Sequence, residues 1–541
     1  MFTGYREKFK GGLGLEKREA RIEVTSKFIL SKEAENLKNV IGNLVEKVNK
    51  EIFTKNVPRE NLDEAAKIVD WKIENNSLTV KIVSGLRFRA PAAVLRFRKI
   101  LAEELGLNFK IGVRKLETPE IKFEFPIKTS EEILEKIKSL THVQDVAKQE
   151  NLVTVFLKPM EEADLKKNVP DRVFSVVKEM FKGEAKPIQQ PQTVVVKQGK
   201  SRIQKFKEDP AKVALELGWI KEFPGRGQWI YTTPYAKLLD AIESILLEEV
   251  VLKLDFQPFM LPKLIPLEVM QRMPGYLEEI PEGMYYVCPP PRDPKAFTEF
   301  KETVKVTKTV PKDMLKNIIK EPDYVLAPAQ CEPFWYFFSH ETLRVEDLPI
   351  KLYDRSGWTY RWEGGGVEGL ARLQEFRRIE LVYIGTPEQV VEVRDSIVDE
   401  LVRVVNDILE LEWRVVAATP FYMREGEVGD LTESKNVAAF DIEIYLPYRG
   451  EKKKAEWLEI AGCFVHKDKF VKNFSIHEVK NRPIWTGCTG LGSSRWVTAF
   501  LANHGFNPKN WPLRVREKFG SYKLPKTLLW PKKTLEDLEE S

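Results

Sequence analysis

The sequence predicts an α+β protein built from more than one domain. A chain of 541 residues is longer than one ordinary domain. Stretches of alternating apolar residues and stretches with helical spacing follow one another, which is typical of sheets covered by helices. A segment rich in Pro, Gln, Gly and Lys has no helical period and indicates a linker. We therefore expect domains at residues 1–184 and 203–541, joined by residues 185–202.

The first domain is predicted to be a mainly antiparallel sheet with helices packed on it. Residues 19–30 alternate like a strand, and residues 32–53 carry apolar side chains at helical spacing. Residues 69–85 predict a hairpin that turns at residues 74–76. The remaining predicted elements are helices at 92–105, 130–140 and 161–182, and strands at 108–114, 120–127 and 152–157.

The second domain also mixes helices and strands. Residues 235–256 predict a long amphipathic helix, and residues 387–412 predict another helix. Residues 440–450 and 455–476 alternate as strands do.

Composition limits the environment and the partners of the protein. Hydrophobic residues make up 43% of the chain, which is ample for buried cores, and the net charge of +5 permits a nucleic-acid partner without requiring one. The four cysteines form no Cys-x-x-Cys pair and are too few for a disulfide framework, so we expect a reducing cytoplasm. The first residues lack the apolar core of a signal peptide, and no apolar run approaches about 18 residues, so we expect no membrane partner.

The most basic stretch of the first domain lies at residues 87–115, where phenylalanines are interleaved with Lys and Arg. Side chains of this kind contact the phosphates of nucleic acids. An equally acceptable interpretation is a solvated face whose aromatic residues belong to the core. The candidate phosphate-binding residues are Arg87, Arg89, Arg96, Arg98 and Lys99.

Residues 360–381 predict two short strands joined by a loop of glycines and charges. Arg361 and Glu363 share one face of the first strand, because side chains alternate along a strand. Arginine forks suit phosphates and an aromatic ring suits a stacked base, so this surface is a candidate ATP site. The residue types alone favour an exposed hairpin with cross-strand ion pairs. The residues predicted to share a face of the second strand are Arg372, Gln374, Phe376, Arg378 and Glu380.

A resemblance to a known family changes that balance. Arg361-x-Glu363, a loop, and then Arg372-x-x-x-Phe376 resemble motif 2 of the class II aminoacyl-tRNA synthetases. The resemblance implies an antiparallel-sheet catalytic core with ATP as a substrate. In that family the first arginine binds the α-phosphate and the amino-acid carboxylate, and the phenylalanine stacks under the adenine.

Two further motifs stand in the order of the same family. Gly490-Leu-Gly-Ser-Ser-Arg495, followed by an apolar helix, resembles motif 3, and Pro262 fits the motif 1 proline of the dimer interface. The resemblance implies a homodimer, with Arg361 and Arg495 as the catalytic residues and Mg²⁺ held by Glu459. The ATP-binding set that it implies is Arg361, Glu363, Arg372, Phe376, Glu459 and Arg495.

Longer phrases, such as YVLAPAQCEPFW and RLQEFRRIELV, resemble the seryl-tRNA synthetases. Common members carry Thr-x-Glu at the position of Ala329-Gln330-Cys331 in this chain, so a cysteine replaces the glutamate. That departure resembles the rare seryl-tRNA synthetase type of methanogenic archaea, whose catalytic zinc is held by Cys, Glu and Cys. The matching positions are Cys331, Glu380 and Cys488. Two thiolates and a carboxylate that leave a fourth position open are typical of catalytic zinc, whereas spacing alone would favour two buried core cysteines.

The resemblance implies that the chain attaches serine to serine tRNA through seryl-adenylate, with ATP consumed. Zn²⁺ would bind the amino group of serine, and Mg²⁺ would bridge the phosphates of ATP. The first domain would bind the long variable arm of the tRNA, which favours the phosphate-binding interpretation of residues 87–115.

Three other functions fit parts of the pattern. An amino acid:carrier-protein ligase shares the core and the zinc site but lacks a tRNA-binding domain, so the large first domain argues against it. A synthetase for phosphoserine would need additional positive charge in place of zinc. A non-catalytic RNA-binding protein should have lost the ATP-binding residues, all of which are present.

Overall fold

The computed structural model describes residues 20–55, 62, 64–85, 89–183, 194–364, 366–420, 423 and 436–539. Contacts divide the chain into two compact units, Met1–Gln190 and Pro191–Ser541. The described part of each unit has a hydrophobic core of its own. Within these described ranges, every helix is too short or too polar to pass through a bilayer.

The first unit is an antiparallel sheet with helices against it, so the α+β prediction for this part of the chain is confirmed. Its described strands, in spatial order, are Lys67–Glu74, Ser77–Ser84, Arg21–Leu30, Val113–Phe125, Leu152–Leu157 and Val143–Gln149, and Met160–Glu161 pairs with Val113–Phe125. Its described α-helices are Lys38–Lys47, Ala90–Phe109, Glu131–Lys138, Glu162–Lys166 and Val169–Gly183.

Four details of the first unit differ from the prediction. The helix from Ala90 runs to Phe109, and one strand, Val113–Phe125, replaces the two predicted at 108–114 and 120–127. A bulge accommodates Pro119 in this strand, because Thr25 and Lys27 pair with Glu120 and Glu117. The predicted helix at 161–182 is divided at Asn168, whose φ is 55°. The polar strand Val143–Gln149 was not predicted.

The second unit is organised around a sheet to which eight strands of the described ranges contribute. Every neighbouring pair is antiparallel except the parallel pair Gln257–Phe259 and Ile350–Asp354. The strands, in spatial order, are Gln257–Phe259, Ile350–Asp354, Ile379–Gly385, Trp485–Leu491, Leu458–Lys467, Ala439–Ile444, Trp413–Ala418 and Val194–Gln198.

Short strands and helices complete the second unit. Smaller sheets contain Leu264–Pro266, Tyr286–Val287, Tyr324–Leu326, Trp358–Tyr360, Glu375–Arg377, Ile220–Glu222, Trp229–Tyr231, Thr342–Leu343 and His477–Glu478. The described α-helices are Pro210–Glu216, Thr233–Leu246, Leu267–Met270, Tyr276–Glu279, Thr298–Thr307, Lys312–Ile318, Glu332–Phe337, Pro387–Arg403, Lys469–Asn473, Ser493–His504, Leu513–Phe519 and Leu535–Glu539.

The structure adds detail to five segments of the second unit. Residues 194–198, which were assigned to the linker, form an edge strand, and their run of valines has the β propensity for it. The predicted strands at 440–450 and 455–476 are shorter, Ala439–Ile444 and Leu458–Lys467. The long helices at 233–246 and 387–403 each continue into a π-helical turn.

Candidate active site

The central sheet of the second unit has one face in the main core and one face toward a cleft. On the strand Ile379–Gly385, Ile379, Leu381 and Tyr383 belong to the main core, while Glu380 lines the cleft. On the strand Leu458–Lys467, Cys463 and Val465 face the same core. Because side chains alternate along a strand, the residues between these core positions are presented together on the opposite face.

The cleft has a volume of 270 Å³ and brings together residues from distant parts of the chain. Its lining includes seven of the residues that the resemblance assigned to ATP or metal binding, namely Cys331, Arg361, Phe376, Glu380, Glu459, Cys488 and Arg495. Two members of the expected ATP set, Glu363 and Arg372, do not line it.

Charged groups and an aromatic ring form one part of the cleft wall. Arg495 Nη1 donates to Glu459 Oε2 at 3.3 Å and to the backbone carbonyl of Glu459 at 3.1 Å. Arg361 Nε donates to the carbonyl of Pro328 at 3.4 Å, which leaves the outer nitrogens of its guanidinium for other groups. Phe376 is half-buried in the same wall. Two guanidinium groups, a carboxylate and a ring can contact phosphates, a divalent cation and a flat base.

The hairpin that carries Arg361 and Phe376 differs from the prediction in its second strand. Glu375–Arg377 pairs with Trp358–Tyr360, whereas Ile379–Gly385 joins the central sheet, so the predicted strand is broken at Arg378. Gln374 is buried, and its Oε1 accepts from the backbone N–H of Glu363 at 3.0 Å. The expected common face therefore reaches the cleft only from Phe376 onward.

Arg372 lies in the more exposed part of the hairpin. Its Nη2 is 3.4 Å from Glu456 Oε1, and 43% of its side chain is exposed. An exposed pair of this kind is weak and can be exchanged for a phosphate contact at little cost.

Three buried residues place possible metal ligands side by side in the cleft. The ligand atoms of Cys331, Glu380 and Cys488 all lie within 4.8 Å of one another. Glu380 and Cys488 come from adjacent strands, where Glu380 pairs with Gly490 and Val382 with Cys488. Cys331 immediately precedes the helix Glu332–Phe337. Two thiols and a carboxylate fit zinc, which in catalytic sites takes three protein ligands and leaves one position open.

Burial favours the protonated forms of Glu380 and Cys488, two of these three possible ligands. Burial raises the pKa of Glu380 to about 7, against the opposing effect of Arg378. The pKa of Cys488 is raised by its hydrogen bond to Cys331 and by burial. A bound divalent cation would replace these protons, because metal ligands bind in their deprotonated forms.

Several cleft residues received no functional role in the sequence analysis. Arg378 forms an ion pair with Glu380 at 2.6 Å, and its guanidinium lies so close over Gly490 that a Cβ there would be 1.6 Å away. His466 is buried in the cleft wall with Nδ1 3.2 Å from Thr486 Oγ1. Asp441 also lines the cleft. Alternation placed Arg378 on the same predicted face as Glu380, but the family resemblance assigned it no role.

The candidate phosphate-binding residues of the first unit divide into two classes. Arg89 donates to Asp171 at 2.9 Å and lies over the Phe174 ring, and Arg98 lies 2.9 Å from Glu162. Arg96 and Lys99 are exposed on the same helix, whereas Phe97 beside them is in the core. Arg87 lies outside the described residues. The exposed pair is therefore better placed to contact a ligand than Arg89 and Arg98, which are half-buried.

Pro262 and its neighbours form an apolar surface. Pro262 itself is exposed, and Met260 and Leu264 beside it have 85% and 46% of their surface exposed. Exposed apolar side chains that lie together commonly mark a protein interface.

Comparison with known proteins gives matches over both units. Residues 20–179 match a family described as a tRNA-binding domain, and residues 316–504 match the tRNA synthetase class II core domain for G, H, P, S and T. The chain is 41% identical over 522 residues to the type-2 serine–tRNA ligase of Methanocaldococcus jannaschii, covering 94% of this chain and 99% of the relative. It is 39% identical over 531 residues to that of Methanopyrus kandleri, with coverage of 95% and 99%.

A solved structure agrees with these matches. The crystal structure of A. aeolicus tRNASec in complex with M. kandleri SerRS has a chain that aligns with a TM-score of 0.73 and 38% identity. The alignment covers 95% of this chain and 100% of the other.

Proposed function

The chain belongs to the type-2 serine–tRNA ligases, and from this premise we propose that it joins serine to serine tRNA through seryl-adenylate, using Zn²⁺ and Mg²⁺. The observation that carries the proposal is one cleft that holds both the Cys331, Glu380 and Cys488 group and the phosphate-binding candidates Arg361 and Arg495. An amino acid and ATP can therefore be held next to each other, which is the main requirement of an adenylating enzyme.

In the first step, a carboxylate oxygen of serine attacks the α-phosphorus of ATP in line, and pyrophosphate leaves. Arg361 binds the α-phosphate and the serine carboxylate, so its positive charge stabilises the charge that develops between them. Arg495 binds the γ-phosphate and covers the adenine, and Phe376 stacks on the other face of the base. Glu459 supplies a carboxylate for Mg²⁺, which prefers oxygen ligands.

The outer residues of the hairpin complete the ATP site in this proposal. Glu363 accepts from the adenine amino group, and Arg372 contacts the β- and γ-phosphates. Neither lines the cleft, so both roles require the hairpin to approach bound ATP. The weak pair of Arg372 with Glu456 would then be exchanged for phosphate contacts.

The Cys331, Glu380 and Cys488 group recognises the amino end of serine. Zn²⁺ held there would supply a Lewis-acid position for the neutral amino group. Arg378 holds Glu380 in place through the 2.6 Å ion pair. The fixed amino end orients the serine carboxylate toward Arg361.

In the second step, the 3′-hydroxyl of the terminal adenosine attacks the seryl carbonyl, and AMP leaves. We assign tRNA binding to residues 1–184 and catalysis to residues 203–541, in agreement with the separate family matches. Arg96 and Lys99 are the exposed candidates for phosphate contacts in the first unit. We further propose a homodimer whose interface includes Pro262 and the exposed Met260 and Leu264.

The experiment that tests this function is charging of total archaeal tRNA with each labelled amino acid in the presence of ATP, Mg²⁺ and Zn²⁺. We expect serine alone to become attached to tRNA, and serine alone to support ATP–pyrophosphate exchange. Adenylate formation without tRNA charging would instead indicate a carrier-protein ligase. A protein that activates no amino acid would be a binding protein on a retained fold.

A further inference from the structure

A pair of glycines gives the cleft its depth beside the possible zinc ligands. Gly462 and Gly490 are partners across two neighbouring strands, and the next pair on the same face of the sheet is Phe464 with Cys488. Phe464 is therefore directly opposite one of the three possible ligands. Both Phe464 and Cys488 line the cleft.

The Phe464 ring folds back over Gly462. A Cβ at position 462 would lie 2.8 Å from Phe464 Cε2 and 2.9 Å from Cζ, so the ring fills the space that a side chain would need. On its other side the ring stacks with His466, with centroids 6.5 Å apart and planes inclined by 24°. Phe464 is thereby held in a single place between the cleft and a buried aromatic layer.

That aromatic layer is closely packed and cannot easily yield. The His466 ring lies 4.4 Å from that of Phe470 and 5.5 Å from that of Trp335, measured between centroids, and all three residues are buried. Phe464 is only half-buried, because its exposed face borders the open cleft. A group bound beside Cys488 would therefore contact the Phe464 ring, and the packed residues behind the ring limit how far it can move.

We propose that Phe464 sets the size limit for the side chain of the amino-acid substrate. The inference rests on the proposed function, in which the amino group is held at Cys331, Glu380 and Cys488 and the carboxylate points to Arg361. With both ends fixed, the side chain lies against the ring that faces Cys488. Threonine carries one methyl group more than serine, and that methyl would contact the ring.

The test compares Phe464→Ala and Phe464→Leu with the wild type in the full zinc-loaded chain. Activation of serine, threonine and alanine is measured by ATP–pyrophosphate exchange. Binding of non-hydrolysable sulfamoyl analogues of seryl- and threonyl-adenylate is measured by calorimetry. We expect Phe464→Ala to raise the threonine-to-serine ratio of kcat/KM at least about tenfold, and Phe464→Leu to raise it less, since one buried methyl is worth roughly 10–200-fold.

Two comparisons distinguish a size limit set by Phe464 from a general contribution of Phe464 to packing. Phe474 is buried and stacks on Phe470 with centroids 6.4 Å apart, but it does not line the cleft, so Phe474→Leu should leave the threonine-to-serine ratio unchanged. Alanine is smaller than serine, so its ratio to serine should stay constant in the Phe464 variants.

The outcomes for the function and for this inference are distinct. Two outcomes would overturn the size-limit role while the wild type still activates serine. One is an equal loss of activation with all three amino acids in the Phe464 variants, and the other is no gain in affinity for the threonyl analogue. A wild type that does not activate serine would overturn the proposed function, and the inference with it.

Discussion

Arg378 and Glu380 form a buried ion pair in the wall of the cleft, with Nη2 and Oε2 2.6 Å apart. Only 14% of the Arg378 side chain and 1% of the Glu380 side chain are exposed. The two residues flank the core residue Ile379, and both line the cleft. Because Glu380 is one of the three possible metal ligands, Arg378 controls both its charge and its orientation.

Replacing Arg378 by Met should destabilise the metal-free protein. A buried carboxylate would lose its partner, which typically costs about 3 kcal/mol. Urea unfolding at pH 8 in the presence of a chelator measures the change. The double variant Arg378→Met, Glu380→Gln should recover most of the loss, because no buried charge remains.

The exposed pair of Arg344 with Asp347 provides the control for Arg378. Those side chains are 70% and 52% exposed, so Arg344→Met should change the free energy of unfolding by no more than about 1 kcal/mol. Equal effects of Arg344→Met and Arg378→Met would contradict the importance of burial for the cleft pair.

Cys331→Ser should lose zinc and serine activation together. A serine hydroxyl is a poor replacement for a thiolate on zinc, so elemental analysis should show the metal content falling from about one ion per chain to nearly none. ATP–pyrophosphate exchange with serine should fall at least about 100-fold. Cys288→Ser is the matched control, because Cys288 is half-buried and outside the ligand group. Retained zinc and normal exchange in Cys331→Ser would refute the metal assignment.

Sequence periodicity and family resemblance predicted different parts of this site. Period-two alternation predicted that Phe376 and Glu380 share a face, and both line the cleft. Alternation failed for Gln374, which is buried under the hairpin, because the strand breaks at Arg378 and changes sheets. A break of that kind depends on which strands become neighbours, and local residue types do not determine it.

The ligand group could not have been found from spacing. Cys331, Glu380 and Cys488 are far apart in the chain, and the register of the central sheet brings two of them to adjacent strands. Resemblance to a family supplied that grouping. The positions of Phe464 and Gly462 against each other were not available from either source, because the ring occupies space that only the folded backbone defines.

Removing the first unit should separate amino-acid activation from tRNA charging. The core of the first unit and the two hydrophobic clusters of the second share no residue, so a chain of residues 191–541 should still fold. We expect this shortened chain to keep serine-dependent ATP–pyrophosphate exchange and to lose charging of tRNA. Charging at the full-length rate by residues 191–541 would disprove the proposed role of the first unit.

The double variant Arg96→Ala, Lys99→Ala should weaken tRNA binding without changing serine activation. Both side chains are exposed on the helix Ala90–Phe109, whereas Arg89 and Arg98 of the same stretch are half-buried. Each phosphate contact that is lost should reduce the slope of log affinity against log salt by about 0.7–0.9. The expected result is a slope lower by roughly 1–2, measured by filter binding between about 50 and 200 mM salt.

Lys136→Ala is the control for a general change of charge in the same unit. Lys136 is exposed and lies 2.6 Å from Glu132. Both residues are on the helix Glu131–Lys138, outside the basic stretch. Its removal should leave the salt slope unchanged, because it lies outside the stretch that is proposed to contact the tRNA phosphates. Arg89→Ala should differ from both, since Arg89 contacts Asp171 and the Phe174 ring, and its loss should lower the thermal stability of the first unit. An unchanged salt slope in the Arg96 and Lys99 double variant would show that the tRNA phosphates do not contact these two side chains of the helix Ala90–Phe109.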